Sequence, residues 1–421
     1  MKHFSFNKPD GLPSFTKGED GIRLAQGVTM PLDYSVTVRN SNFLALGSSS
    51  AWFGWQNITP NGNDYIIHDP YGFHYEKCGA MLKEHGYNVK ILRLDPRSCS
   101  SDSALYNPFR HVHNYADIQA MANTIAENCK GKEDPFFTAA TRSLLTTVFT
   151  YLYETEDECD RTMAKAAALV EAAVPDKLSG ESNFARMVDS LKIAKPENAT
   201  ATHFLSLSHV LGKTMNTICS TTLDKLKLFL LPPYDRILVT DTLELNCYSG
   251  TPSAIFIETP ARTFSPIAPL FFSQAIIEKK ELYRSDKEYR HTIFVIPHIA
   301  DLGYIPNLPT ELAISGRHDK LSFILTENNL WSIKARYRDE WQTMFACCDT
   351  KVLFEGDFSD DLERINNLTA GATPITAINN TRHRERRYGS TVDISTLYAD
   401  DCIVCIRGYR PTVCKTITTE C

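Results

Sequence analysis

Tyr65-Ile66-Ile67-His68 is a short apolar run ending in Asp69-Pro70, and the residues from Tyr71 to His85 that follow carry helical spacing as far as Gly86. Val89-Lys90-Ile91-Leu92-Arg93-Leu94 is a second strand-like run just beyond that glycine. Glycine ends helices because it enters the left-handed region without a steric penalty. Strand, helix and strand in close succession imply parallel strands joined by a crossover helix. Reading outward, Phe43-Leu44-Ala45-Leu46 precedes this unit and runs into a Ser-rich turn. After Pro232 the alternation returns. Strands are predicted at Ser253 to Ile257, Thr292 to Ile296, Leu321 to Leu325 and Val352 to Glu355, with a helix over Pro269 to Tyr283. Cys402 to Ile406 closes the series as its last strand.

Between these halves the period changes. Ala116 to Cys129, Pro135 to Tyr153, Arg161 to Ala173, Asn183 to Ile193 and Thr214 to Leu230 all space their apolar residues as helices do. The expected architecture is an α/β sheet built from both ends of the chain. Its divisions are a lead-in of short strands over 1–38, an α/β domain over 39–114 and 232–421, and an all-α domain over 115–231.

Composition narrows the function. With 421 residues, 43% hydrophobic and 22% charged, the chain has the make-up of a globular protein with ample core. A net charge of −6 leaves no general basic coat, so contact with nucleic acid would need a local patch. No apolar run reaches the roughly 18 residues of a membrane helix, and Met1 to Pro9 lacks the apolar core of a signal peptide. A cytosolic chain with reduced thiols is expected. Twelve cysteines are too scattered for a disulfide scaffold. Cys402 and Cys405 have C-x-x-C spacing, but on a strand they point to opposite faces and read as packed thiols. Cys347-Cys348 has no matching second pair.

The chemistry-bearing positions are defined by the sheet. In nucleotide hydrolases a first strand leads into G-x-x-x-x-G-K-[ST], whose N–H groups, Lys and hydroxyl hold phosphate and Mg²⁺. A second strand ends in acidic residues that hold the metal and polarise water. Here the first slot is Gly47-Ser48-Ser49-Ser50, and no Lys or Arg lies between Arg39 and Lys77. The turn either binds an anion through free N–H groups or is a plain strand–helix turn. The second slot is Pro297-His298, and neither residue is a hard oxygen ligand. His298 has only Asp301, His318 and Asp319 nearby in sequence, with no metal-binding spacing. Arg382-His383-Arg384-Glu385-Arg386-Arg387 is the most basic stretch; its Arg382, Arg384, Arg386 and Arg387 would touch phosphates or an acidic partner, or stay solvated. No aromatic residue interleaves with them to stack on bases.

Several segments, in collinear order from about 38 to 415, resemble one family. Asn40 to Gly47 is similar to the approach to a phosphate loop. Tyr65 to Gly72 is similar to a strand ending in Asp-Pro-Lys-Gly, with Tyr71 in place of the Lys. Lys83 to Val89, Tyr106-Asn107-Pro108-Phe109, Asp134-Pro135-Phe136-Phe137 and Ile299 to Pro306 also match. So do Asp339 to Thr343, Cys348-Asp349-Thr350 and Cys402 to Pro411. The family is that of the type IV coupling proteins of conjugative DNA transfer and type IV secretion (TraG/TraD type). The resemblance implies a RecA-like P-loop NTPase sheet with an inserted all-α domain.

It also implies what has been replaced. Gly47 to Ser50 stand at a shortened phosphate loop, Pro297 and His298 at the acidic pair, and Thr326 where the family carries Gln. Arg317 aligns with an arginine that reaches a neighbouring subunit. The membrane helices at the family's N-terminus have no counterpart. The reading is a degenerate coupling protein, a pseudo-ATPase with no catalytic residue, no metal and no bound ATP or Mg²⁺. Implied partners are active coupling-protein subunits in a homo- or hetero-oligomer, relaxosome or secretion substrate proteins, and single-stranded DNA. The membrane is reached through partners, at its cytoplasmic face. The rival readings are an active ring ATPase with substitute catalytic residues and a nucleic-acid-binding accessory protein.

Overall fold

The computed structural model describes residues 11–17, 20–98, 102–129, 134–176, 178–211, 214–246, 250–260, 265–285, 289–317, 319–356, 358, 365, 373–374, 397 and 400–417. A hairpin of β1 (Ile22–Ala25) and β2 (Val28–Met30) and the turn α1 (Tyr34–Thr37) lead in. The first half of the sheet follows as β3 (Asn42–Leu46), α2 (Ser50–Gln56), β4 (Asp64–Pro70), α3 (Phe73–Glu84) and β5 (Asn88–Arg93).

Helices then take over: α4 (Tyr115–Asn128), α5 (Pro135–Thr155), α6 (Met163–Ala172), α7 (Asn183–Ala194), α8 (Ala199–Leu211), α9 (Met215–Leu230) and α10 (Tyr234–Ile237). The chain returns to the sheet through β6 (Ser253–Thr259), α11 (Ile267–Ser285), β7 (Thr292–Ile296), α12 (Ile299–Leu302), α13 (Leu308–Ile314) and β8 (Leu321–Glu327). It ends with α14 (Leu330–Tyr337), α15 (Trp341–Cys347), β9 (Thr350–Leu353), β10 (Thr373–Pro374), β11 (Asp401–Ile406) and β12 (Thr412–Lys415). Cys402 to Ile406 is therefore not the last strand. After Gly408, at a φ of +88°, the chain turns back and Thr412–Lys415 pairs antiparallel with β11.

One 10-stranded sheet has the order β10-β12-β11-β9-β3-β8-β7-β4-β6-β5. From β9 to β5 every pairing is parallel. Both faces are covered, as parallel sheets require. Leu44, Leu46, Ile66, Phe294, Ile296, Phe323 and Leu325 belong to one core, shared with α11 and the helical region. Phe43, Ala45, Tyr65, Ile67, Ile293, Val295 and Ile324 belong to the other, shared with α2 and α3. The alternation is the two-residue period of a strand. Cys402 lies in the second core and Cys405 in the first, so the C-x-x-C pair is split between faces. Among the described residues no helix is long and apolar enough to cross a membrane.

Candidate functional site

Strands β3, β8, β7 and β4 are neighbours, and their carboxyl ends meet at one edge. That edge is where open α/β sheets take ligands. The turn after β3 holds Gly47 at a φ of +116°. A Cβ there would stand 2.7 Å from the carbonyl oxygens of both Phe354 and Glu355, so only glycine fits. Three of the turn's backbone donors are engaged within the fold. Gly47 N–H donates to Glu327 O at 3.1 Å, Ser48 N–H to Glu355 O at 2.7 Å and Ser50 N–H to Gly47 O at 3.1 Å. The Ser48 hydroxyl also donates to Glu355 O, at 2.9 Å, and the Ser50 hydroxyl to Glu327 O, at 3.0 Å. Main-chain carbonyls thus sit where a phosphate loop offers N–H groups to an anion. The short α2 lies on the sheet, with Gly54 against Val295 and Thr326. A cavity of about 300 Å³ beside the turn is lined by uncharged residues, among them Ser49, Trp52, Phe53, Gln56 and Phe354.

At the end of β7, Pro297 O accepts the Nδ1–H of His68 at 2.8 Å. A carbonyl only accepts, so the proton is on Nδ1 and Nε2 accepts from the Thr259 hydroxyl at 2.9 Å. His68 is a neutral, buried ring, pushed down to about 4 by burial. His298 follows at a φ of +51°, uncommon for a residue with a Cβ, and burial lowers its pKa as well. Asp69 accepts the N–H and Nδ1–H of His74 at 2.7 and 2.9 Å and the N–H of Tyr75 at 2.8 Å, so it caps α3. Tyr71, in the position of the family's Lys, is exposed. Trp52 and Phe73 are also exposed in part, with their rings 6.2 Å apart.

Thr326 is buried within β8, and its hydroxyl is without a hydrogen-bond partner among the described residues. The polar group delivered to the edge is Glu327. Its carboxyl accepts the N–H of Ala300 at 3.0 Å and of Asn328 at 2.9 Å, and burial pushes it up to about 7. Sequence reading missed it, although a polar residue ending a fully buried strand is a signal at the carboxyl edge. Arg317 is exposed just past α13. Its neighbour Gly316 accepts Ser41 N–H at 3.0 Å, which places Arg317 at the amino end of β3 and away from Gly47 to Ser50. Arg382, Arg384, Arg386 and Arg387 lie outside the described residues. Among the described residues no three His, Cys, Asp or Glu side chains converge to hold a metal.

A triphosphate with Mg²⁺ needs free N–H donors, a cation and oxygen ligands. At this edge the Gly47, Ser48 and Ser50 N–H groups are engaged, the loop has no Lys or Arg, the acidic positions are Pro297 and His298, and the Glu327 carboxyl is already taken by the Ala300 and Asn328 N–H groups. These residues do not fit that group.

The model of the family "Type IV secretory system Conjugative DNA transfer" matches residues 57–345. No curated protein matches the chain by sequence. Among solved structures, the plasmid coupling protein TrwB in complex with ADP and Mg²⁺ is similar with a TM-score of 0.65 at 16% identity, over 96% of this chain and 91% of that one. The bacterial conjugative coupling protein TrwBdeltaN70 in complex with sulphate gives 0.64 at 14% identity, over 96% and 91%. VirB4 of Thermoanaerobacter pseudethanolicus gives 0.55 at 12% identity, over 96% and 98%. These likenesses bear out the RecA-like sheet with an all-α insertion.

Proposed function

The chain belongs to the type IV secretory system conjugative DNA transfer family, and from that premise we propose that it is a non-hydrolysing coupling-protein subunit. It keeps the sheet and the helical region for assembly and docking and has given up ATP turnover. One observation carries the reading: the carbonyl of Glu355 accepts both the N–H and the hydroxyl of Ser48, filling the anion cradle from within. Gly47, Ser48, Ser49 and Ser50 are then a structural turn, and Pro297 and His298 a structural strand end. Loss of both poles removes electrostatic stabilisation worth orders of magnitude in rate.

The partners in this reading are active coupling-protein subunits and the proteins or DNA they move. The chain meets the cytoplasmic face of a membrane through them. Arg317 stands exposed at the opposite edge of the sheet, a placement that suits contact with a neighbouring copy. The test is calorimetric titration with ATP and Mg²⁺ together with a phosphate-release assay and a thermal melt. A ligand at 100 times its Kd stabilises by about 2.7 kcal/mol. No binding heat, no turnover above background and no melting shift are expected; saturable Mg²⁺-dependent turnover would favour the active ring ATPase instead.

A further inference from the structure

The chain leaves the sheet for the helical region through residues 104–114 and comes back through 231–246. The two connections lie side by side. Tyr106 N–H donates to Ile237 O and Thr242 N–H to Leu105 O, each at 2.9 Å, and Asn107 Nδ2 donates to Val239 O at 2.9 Å. His111 sits at their junction with α11, only 4% exposed. Its Nδ1 is 2.9 Å from Glu278 Oε1, on α11, and its Nε2 is 2.9 Å from Asp241 Oδ2, on the returning connection.

A carboxylate oxygen only accepts, and a neutral imidazole has one donor nitrogen. The same ring therefore cannot satisfy both contacts unless both nitrogens carry protons. Each carboxylate also accepts a hydrogen bond from another donor. Asp241 Oδ1 accepts Leu243 N–H at 3.1 Å, and Glu278 Oε1 also takes a hydrogen bond from His113 Nε2 at 2.8 Å.

We propose that His111 is a buried imidazolium that latches both connections of the helical region to α11, so that its proton controls how firmly the helical region is held on the sheet. The groups facing it are Glu278, Asp241, His113 and the Tyr106 ring, stacked at 5.6 Å; Asp117 stands behind His113, accepting its N–H at 2.9 Å. Loss of the proton sets a lone pair against a carboxylate in a site closed to water and opens one arm of the latch. Burial lowers the His111 pKa, but its hydrogen bonds to Asp241 and Glu278 outweigh that and push it up to about 9. The latch is closed at neutral pH and releases in mild alkali.

Nitrogen-15 histidine spectra at pH 7.5, assigned with His111→Gln, should show protons on both ring nitrogens of His111; a neutral ring would overturn the proposal. Hydrogen exchange of the full chain should then rise about tenfold across 104–114 and 231–246 in His111→Gln, as expected for loss of one charge-assisted hydrogen bond. Strands β3, β7 and β8 should be unchanged. If His111→Gln does not fold, Asp241→Asn and the wild-type chain between pH 8 and 10 give the same reading. After correction for intrinsic rates, faster exchange confined to the two connections is expected. Exchange that stays flat there, or rises equally in the sheet, would sink the latch.

Discussion

Glu327 is a carboxyl group held where water does not reach, with two backbone N–H donors as its partners. Its pKa of about 7 in the folded chain exceeds the ordinary value of 4.5, because burial penalises the charged form. Between those two values the folded state binds more protons than the unfolded one. Stability from this group therefore falls as pH rises from about 4.5 to 7, by at most about 1.4 kcal/mol per unit, and is level above that. Glu327→Gln should remove that slope, read from urea midpoints at pH 5 and pH 8. Gly47 is the other decisive residue. Gly47→Ala forces a Cβ against two carbonyl oxygens at a φ suited to glycine, and a loss of about 2–4 kcal/mol is expected by chemical denaturation.

Helix α8 shows how an element can be held from a distance. Its sequence, Ala199-Thr200-Ala201-Thr202-His203, is rich in β-branched residues and makes a weak helix start. Two caps hold it: Asn198, just before the helix, accepts Ala201 N–H at 2.7 Å, and Glu154 of α5 accepts Ala199 N–H at 2.7 Å, Thr200 N–H at 3.2 Å and the Thr200 hydroxyl at 2.5 Å. Glu154→Ala should destabilise the protein by about 1–2 kcal/mol and speed hydrogen exchange in α8 first. This is also why α8 was missed in the sequence: its first turn is a weak helix former, the Asn198 cap signal was overlooked, and half of its capping is remote. The strands from β3 to β9 and β11 were legible, because each carries its own short apolar run, whereas β10 and β12 do not. The lack of cations in the loop after β3 was legible. The filling of that loop by Glu355 was not, since that contact joins β3 to the end of β9. Glu327 was hidden for a related reason, one place beyond the residue that the family comparison singled out.

At the scale of the molecule the buried histidines set the acid limit. His68 and His291 are both pushed down to about 4 by burial, below the ordinary 6.5. The unfolded chain binds more protons between those values, so their contribution to stability is lost as pH falls from 6.5 to 4. His111 works in the other direction: its folded pKa of about 9 gives stability that is lost as pH rises from 6.5 to 9. Glu327 opposes the two neutral histidines below 6.5 and joins His111 above it. The expected result is a stability maximum near pH 6.5, read from melting midpoints between pH 4 and 10. Reductant and chelator should leave those midpoints in place, because Cys402 and Cys405 face different cores.

The strand order has a consequence for synthesis. β3 is made early, yet its two sheet neighbours are β8 and β9, which begin only at Leu321 and Thr350. As the nascent chain leaves the ribosome, β3 has both backbone edges bare until about three-quarters of the chain has emerged. The helical region is complete well before that and makes its contacts between sequence neighbours. Long-delayed parallel pairing is slow and exposes sticky edges, so recovery of this protein from cells should depend on chaperone supply far more than its finished stability would suggest.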